Sequence, residues 1–291
     1  MKKSKKSKVL KILAVLLAVI LAVAAGVLYY FFGYQTIDED ADAFKIPKEY
    51  ELVFEDEFIN GYDEDFWAPS GMTVRRGGYW SQDQVFTKNG KLVIRTEYKD
   101  DVENPGYYTG DLCTLHDRLA FGYYEIRCKV ENTRGLWNAF WFMPDDIYNY
   151  EQKAQDGSEI DIFESALPYR IQNALYYDGY SGRKNIMTEV EDLYDGYHTY
   201  ALDWKKDGLK FYFDGHLIWE LNEPDLIPAT PAYLNITTEI NGKVIDGKPD
   251  PSHIEWIGCG KITEESNVFP SDYVIDYVRI YDNGDLIWNK Q

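Results

Sequence analysis

Three carboxyl groups fall within six consecutive residues of this chain, Glu159-Ile160-Asp161-Ile162-Phe163-Glu164. The residues between the acids are apolar and favour a β-strand, whereas a solvated surface strand would carry varied polar residues. Two neighbouring carboxyl groups can cleave a glycosidic bond with retention of configuration, one as nucleophile and one as proton donor, when they lie ~5 to 5.5 Å apart. This segment could supply both groups from one strand.

The spacing of the acids makes a specific demand on that strand. Side chains alternate between the two faces, so Glu159 and Asp161 share one face and Ile160 and Ile162 occupy the other. Glu164 is out of phase by one residue. A β-bulge near Ile162 or Phe163 would turn Glu164 to the side of the other two acids. We therefore predict a bulge between Asp161 and Glu164.

Two tryptophans lie shortly upstream, in the segment from Gly135 to Pro144. Trp137 and Trp141 are four residues apart and would share one face of a strand. Indole faces are suited to stacking on sugar rings, so this strand is a candidate wall of a sugar-binding cleft. Both residues could equally be core side chains, since aromatic residues bury large areas in any β-sandwich.

The elements that must position these residues are mostly strands. The folded part is expected to open at Tyr50–Phe54, and about 250 residues suit a single large β-sandwich. Turn signals such as Asn89-Gly90 and Asp214-Gly215 separate the segments that have the pattern of strands. The pattern predicts strands at Lys91–Glu97, Gly122–Val130, Trp137–Met143, Glu159–Glu164, Asn173–Tyr177, His198–Trp204, Leu209–Phe213, Leu217–Leu221, Ala232–Glu239 and Tyr273–Tyr281.

The N-terminus has the composition of a membrane anchor. Six lysines and no acids lie in residues 1–34, and an uncharged apolar run extends from Ile12 to Phe32. This run matches the ~20 residues that span a bilayer, and the basic flank should stay in the cytoplasm. We predict a cytoplasmic flank at 1–11, a transmembrane helix at 12–33, a linker at 34–48 and an extracellular domain at 49–291. Cleavage after Ala24 would instead release a secreted protein.

The charge of the rest of the chain excludes some partners. The net charge of −19 includes the six N-terminal lysines, so residues 35–291 carry 24 basic and 49 acidic side chains, or −25. A domain this negative repels nucleic acid and makes a polyanionic substrate less favourable than a neutral polysaccharide, unless a local basic groove overrides the net field.

The cysteines and histidines indicate no metal centre. Cys113, Cys128 and Cys259 are too few for a disulfide scaffold; we expect buried free thiols, with a Cys113–Cys128 pair as the alternative. The four histidines are scattered without the spacing of zinc ligands.

Several ordered blocks of the chain resemble glycoside hydrolase family 16, which includes laminarinases. The likeness extends from about Glu51 to Tyr281 and does not depend on the acids alone. The matching blocks are Leu52–Phe58, Gly122–Arg127, Gly135–Trp141, Tyr197–Tyr200 with Trp204, Phe213–Gly215 and Asp276–Tyr281. The resemblance implies a concanavalin-like β-jelly-roll of two antiparallel sheets.

The resemblance also implies roles for single residues. Glu159 matches the nucleophile, Asp161 the assisting carboxylate and Glu164 the general acid/base of the bulged, laminarinase-like motif. Trp137 and Trp141 match positions that line the cleft. Arg76 and Trp80 lie where family members often contact sugar, although a structural role is equally consistent with the sequence.

Tyr176 marks a departure from the family pattern. It occupies a position, in Tyr176–Tyr180, where many relatives carry a histidine that orients the site. A phenol can donate a hydrogen bond to a carboxylate or a sugar, but its ordinary pKa of ~10 prevents titration near neutrality. The segment Thr237–Ile240 also differs from the usual laminarinase version, so the subfamily and the substrate stay open.

Some relatives bind a structural calcium ion on the convex face. Asp276 and the carbonyl of Gly90 fall at comparable places in this chain, and oxygen ligands outside the cell suit calcium. No cofactor is expected for catalysis itself.

The expected activity is that of a monomeric, retaining endo-glycoside hydrolase that cleaves β-1,3 or mixed β-1,3/1,4 glucan. Three alternatives remain: a transglycosylase using the same residues, a hydrolase of another polysaccharide such as a galactan, and a non-catalytic glycan-binding module. The last has no need for both glutamates.

Overall fold

Residues 34–38, 41–148 and 153–289 are described by a computed structural model. The transmembrane helix predicted for residues 12–33 and the basic flank before it lie outside these residues. Within the described ranges no helix is long and apolar enough to cross a membrane.

Strands dominate the described chain, with three single-turn 3₁₀ segments at Gln82–Gln84, Lys153–Gln155 and Pro224–Leu226. The strands are β1 (Tyr34–Thr36), β2 (Glu51–Asp56), β3 (Trp67–Ala68), β4 (Thr73–Arg75), β5 (Gly78–Trp80), β6 (Val85–Thr87), β7 (Leu92–Lys99), β8 (Gly106–Thr109), β9 (Asp111–Thr114), β10 (Arg118–Ala120), β11 (Gly122–Lys129), β12 (Leu136–Pro144), β13 (Glu159–Glu164), β14 (Arg170–Tyr177), β15 (Gly182–Glu189), β16 (His198–Lys205), β17 (Gly208–Phe213), β18 (His216–Leu221), β19 (Ala232–Ile240), β20 (Lys243–Ile245), β21 (Lys248–Asp250), β22 (Ser271–Asp282) and β23 (Ile287–Asn289).

Two large sheets form the sandwich, and β20 and β21 form a separate hairpin. The first sheet, which we call the cleft sheet, has the path β1-β15-β14-β13-β12-β19-β10-β23, with β9 and β3 joined at its side. The second, the outer sheet, has the path β18-β17-β16-β11-β22-β7-β8-β5-β4, with β2 and β6 at its side. The predicted β-sandwich is therefore confirmed.

The prediction of purely antiparallel sheets needs a small correction. Strand β1 pairs with β15 in parallel, and so does β5 with β8. In each pair other strands lie between the two partners in the sequence, so the partners are not joined by a hairpin and can run in parallel. Strand β1 lies within the segment 34–48, which was predicted as a linker.

The core lies between the two sheets and is built from large apolar side chains. On β13, Ile160, Ile162 and Phe163 are at most 1% exposed and belong to this core. On β12, Phe140 and Phe142 point inward and Trp137 and Trp141 are only partly buried. Alternation on both strands thus places one apolar face in the core and leaves the other face for a site.

All three cysteines are free thiols, as expected from the sequence. Cys128 and Cys259 are buried and Cys113 is partly buried. Burial raises the pKa of the Cys113 thiol to about 11, so it is not poised for nucleophilic chemistry.

Candidate active site

The bulge predicted in β13 is present. Against β12, Phe163 pairs with Phe140 and Asp161 with Trp141, so Ile162 has no partner of its own. Against β14, the register likewise shifts between Asp161 and Glu164. The extra residue restores the phase of Glu164, as a bulge is expected to do.

Glu159, Asp161 and Glu164 consequently line the same cavity, which has a volume of about 400 Å³. The outward face of β12 adds Trp137, Ala139, Trp141 and Met143 to its wall. Of the sequence-predicted sugar contacts, Arg76 and Tyr176 also line it.

Trp80 does not line this cavity. Its indole N–H donates to the carbonyl oxygen of Thr238 at 2.8 Å, and the Arg75 guanidinium lies 4.7 Å from its ring centroid. These contacts give Trp80 a structural role in holding β5 against β19, which was the alternative left open by the sequence.

The proposed nucleophile is held by a residue that the sequence reading missed. Tyr180 Oη donates to Glu159 Oε2 at 2.8 Å. Burial raises the pKa of Glu159, while the hydrogen bond from Tyr180 and the positive charges of Arg76 and Arg75 oppose that rise. These partners favour the ionised form that a nucleophile requires.

The environment of Glu164 favours its protonated form. Burial, and then the negative charge of Glu159, raise the pKa of Glu164 to about 8. Gln172 Nε2 donates to Glu164 Oε2 at 2.7 Å, and the Trp137 indole also donates to this carboxyl group. A carboxyl group that keeps its proton at neutral pH can act as a general acid.

Asp161 lies between the two glutamates and is 2% exposed. Its Oδ2 atom is buried without a hydrogen-bond partner among the described residues. Burial, and then the charges of Glu164 and Glu159, raise the pKa of Asp161 well above its usual range. The charges of Glu159 and Glu164 therefore disfavour the ionised form of Asp161.

The turn that carries Tyr180 has an unusual backbone. Asp178 and Tyr180 adopt φ angles of 51° and 69°, in the left-handed region, with Gly179 between them at 59°. The Gly179 N–H donates to the carbonyl of Ile147 at 3.0 Å. This left-handed turn directs the Tyr180 phenol back over Glu159, a geometry that no alternation rule predicts.

A second group of missed residues forms the far wall of the cavity. Arg75, Glu239 and Trp256 line it together with Arg76. Arg75 Nε donates to Glu239 Oε1 at 2.7 Å, and the Arg76 guanidinium lies 4.6 Å from the Trp256 ring centroid. Trp256 in turn packs edge-to-face on Trp137 at 4.0 Å between centroids. Since Trp256 is in a loop, only its aromatic type could have suggested it.

The proposed calcium ligands fit an ion poorly. The Asp276 carboxylate accepts from Lys91 on one oxygen and from Arg127 on the other. These cations lower the pKa of Asp276 against the effect of its partial burial. Across the described residues no cluster of three or more His, Cys, Asp or Glu side chains could hold a metal ion. Calcium would have to displace two cations here, so this site stays an unsupported prediction.

Comparison with known proteins gives the family. The model of glycosyl hydrolases family 16 matches residues 74–258. The chain belongs to this family. The match includes all three acids of β13 and most of the cavity wall.

Curated relatives are similar over part of their length. The chain is 24% identical to a glucan endo-1,3-beta-glucosidase A1 of Niallia circulans over 69% of this chain and 31% of that protein. A beta-glucanase of Acetivibrio thermocellus is 26% identical over 70% of this chain and 55% of its own length. A beta-glucanase of Bacillus subtilis is 27% identical, with 69% and 76% covered. The chain thus covers less than two thirds of the first two relatives.

Solved structures share the fold. An endo-beta-1,3-glucanase from Pyrococcus furiosus superposes with a TM-score of 0.65 at 22% identity, covering 80% of this chain and 94% of that one. SCLam, a non-specific endo-beta-1,3(4)-glucanase from family GH16, gives a TM-score of 0.62 at 27% identity, with 83% and 94% covered. The jelly-roll predicted from the resemblance is therefore confirmed.

Proposed function

We propose that this protein is a retaining, endo-acting glycoside hydrolase of β-1,3 or mixed β-1,3/1,4 glucan. The observation that carries the proposal is the bulge in β13, which brings Glu159 and Glu164 to one cavity. The hydrogen bond from Tyr180 and two arginine charges oppose the rise in the pKa of Glu159, whereas the pKa of Glu164 is raised to about 8. Relatives named as beta-glucanases support the substrate class.

In the first step, a Glu159 carboxylate oxygen attacks the anomeric carbon and the bond to the glycosidic oxygen breaks. Glu164 transfers its proton to that oxygen, so the leaving chain departs as an alcohol. Tyr180 holds Glu159 through its 2.8 Å hydrogen bond, and Gln172 holds Glu164 through its 2.7 Å hydrogen bond. The product is a glycosyl ester on Glu159.

In the second step, the now ionised Glu164 takes a proton from water as the water oxygen attacks the same carbon. The ester bond to Glu159 breaks and the carboxylate is restored. Asp161, buried between the two glutamates, would stabilise this exchange by sharing a proton with its neighbours. Two inversions at one carbon give net retention.

The test is release of reducing ends from laminarin, lichenan, xyloglucan, agarose and carrageenan by the wild type and by Glu159→Ala. We expect release from laminarin or lichenan by the wild type and none by the variant. Azide added to the variant should yield a glycosyl azide of α configuration, because a small anion can replace the missing carboxylate. No release from any polymer by the wild type would overturn the proposal.

We further propose that residues 12–33 anchor the protein in the cell membrane with the catalytic domain, approximated as residues 49–291, outside the cell as a monomer. The apolar run and its lysine flank support this arrangement. Fractionation with protease treatment of intact cells tests it: a membrane-bound domain that is digested from outside is expected, whereas a soluble form beginning at Ala25 would indicate cleavage after Ala24.

A further inference from the structure

A second cavity of about 300 Å³ adjoins the catalytic one. Trp137, Glu164 and Trp256 line both cavities, so the two tryptophans form a ridge between them. Glu159 and Tyr180 line only the first cavity. The proposed proton donor thus lies at the junction, and the proposed nucleophile lies on one side of it.

This arrangement fixes what the second cavity would hold, given the proposed function. A general acid contacts the oxygen of the leaving group, and the nucleophile contacts the sugar that stays on the enzyme. The cavity that contains Glu164 without Glu159 is therefore on the leaving-group side. We call it the leaving-group cavity.

The charges of the leaving-group cavity differ from those of the domain around it. Arg170 and Arg183 line it, and Arg170 is paired with Glu189 at 3.1 Å. Arg183 is exposed and, among the described residues, has no carboxylate oxygen within 4.0 Å of its guanidinium. It lies on β15 directly opposite Tyr176 of β14.

The acids of this cavity do not neutralise Arg183. Glu255 is paired with Arg76 at 2.8 Å. Glu164, with its pKa raised to about 8, is protonated at neutral pH. Among the described residues, the uncompensated charge of the cavity is therefore one positive guanidinium, although residues 35–291 carry a net charge of −25.

Apart from Gln172, which donates to Glu164, the rest of the lining is apolar. Leu167, Ile171, Met187 and Ile257 contribute to it, and Ile257 is 95% exposed. A sugar ring can lay its carbon–hydrogen face on such a surface while a substituent reaches the guanidinium. A guanidinium binds a planar carboxylate through two parallel hydrogen bonds, and one carboxylate balances one unpaired arginine.

We propose that the leaving-group cavity selects a sugar unit that carries a carboxylate, through an ion pair with Arg183. This inference rests on the proposed function and adds the substrate class to it: a β-glucan with occasional acidic units. The carboxylate could belong to an oxidised C6 carbon or to an acyl substituent with a terminal acid.

The experiment uses three substrates prepared from one β-1,3-glucan: unmodified, partly oxidised at C6, and partly succinylated. Digestion products are analysed by mass spectrometry for the position of the acidic unit. A unit that occupied the leaving-group cavity becomes the new non-reducing end of the released chain. We expect acidic units at that end to exceed their random frequency by about fivefold, the effect of a partly exposed ion pair.

Arg183→Gln should bring the ratio of the observed to the random frequency of acidic units close to one. Lys88→Gln should leave this ratio at the wild-type value. Lys88 is a matched control, since it is an exposed cation in the turn between β6 and β7 of the outer sheet. Enrichment with only one of the two modified substrates would identify the source of the carboxylate.

Cleavage of the glucans with a random distribution of acidic units overturns the inference alone, and so does enrichment that persists in Arg183→Gln. Absence of cleavage of all three substrates overturns the proposed function and the inference with it.

Discussion

Two groups of acidic side chains, one on a strand of each large sheet, have opposite environments in this protein. On the cleft sheet, Glu159, Asp161 and Glu164 have no ion-pair partner within 4.0 Å among the described residues, and burial raises the pKa of each. On the outer sheet, Asp276 is paired with Lys91 and Arg127, and its pKa is lowered. The same residue type becomes reactive or structural according to its neighbours.

The two groups of acids also differ in whether they contribute to stability or to chemistry. Acids on the outer sheet form ion pairs with arginines of neighbouring strands and so hold the register of those strands. Asp272 pairs with Arg95 at 2.8 Å, and Glu55 pairs with Arg279 at 2.6 Å. Crowded acids on the cleft sheet resist ionisation and so are held at a cost in stability. Changes to the two groups should therefore affect different measurements.

The largest effect is expected from Glu159→Gln. Removal of the nucleophile should lower kcat by about 10⁴-fold or more, because the covalent intermediate forms on this carboxylate. Steady-state kinetics on the glucan that the wild type cleaves gives the value. A loss below about tenfold would place the nucleophile elsewhere.

Glu164→Gln should lower kcat on polymer by about 10²- to 10⁴-fold, the contribution of a positioned acid. In the wild type, kcat/KM should fall as the pH rises through the pKa of Glu164, about 8, since the acid must be protonated. The variant should lack this alkaline limb. An aryl glycoside with a good leaving group, which needs little protonation, serves as the control and should lose far less activity.

Tyr180→Phe should lower kcat by about tenfold, as expected for loss of a hydrogen bond to a charged group. The phenol favours ionised Glu159, so its removal should move the acid limb of the pH profile to higher pH. Tyr98→Phe, an exposed tyrosine of the outer sheet, is the matched control. A lower kcat without a shift of the acid limb would mean that Tyr180 affects the geometry of the site but not the pKa of Glu159.

Glu164→Gln should also raise the melting temperature at alkaline pH. Folding raises the pKa of Glu164 from 4.5 to about 8. The proton on Glu164 therefore stabilises the folded wild type fully below about pH 4.5, and this stabilisation is lost as the pH rises from there through about 8. The uncharged variant avoids this loss. We expect a gain of about 2–4 °C at pH 9, the shift produced by about 1 kcal/mol, and no gain at pH 4. Calorimetry at both pH values checks the sign.

The smallest effect is expected on the outer sheet. Asp276→Asn should reduce the free energy of unfolding by about 1 kcal/mol and leave kcat unchanged, because partly exposed ion pairs contribute little. Calcium added to the wild type should not raise the melting temperature, since both oxygens of Asp276 are engaged by cations. A calcium-dependent rise that Asp276→Asn abolishes would revive the metal site.

Alternation and parity predicted the parts of the fold that depend on local pattern. The bounds of β13 follow from the order of acids and apolar residues. Parity showed that Glu164 needs a bulge to join the other two acids, and the family resemblance was the reason to expect that bulge after Asp161. Strand β15 was missed because Gly182–Glu189 contains few apolar residues in alternation. Its register with β14 is set by the neighbouring strand and the left-handed turn before it.

The cavity walls depend on contacts between distant parts of the chain. Arg75 and Glu239 are 164 residues apart, and Trp256 lies in a loop whose position is fixed by Asn241, whose Oδ1 accepts from the Trp256 N–H at 3.0 Å. No spacing rule connects such residues. Trp80 shows the converse, since its place in the family pattern suggested a sugar contact but its indole holds two strands together.

The central claim is that the bulge in β13 places Glu159 and Glu164 as the nucleophile and proton donor of one retaining site. The most direct test is the anomeric configuration of the first product released from a β-glucan, followed by proton NMR before mutarotation. Double displacement predicts the β anomer in the initial spectra. Initial formation of the α anomer would mean a single displacement by water, and would contradict the role assigned to Glu159.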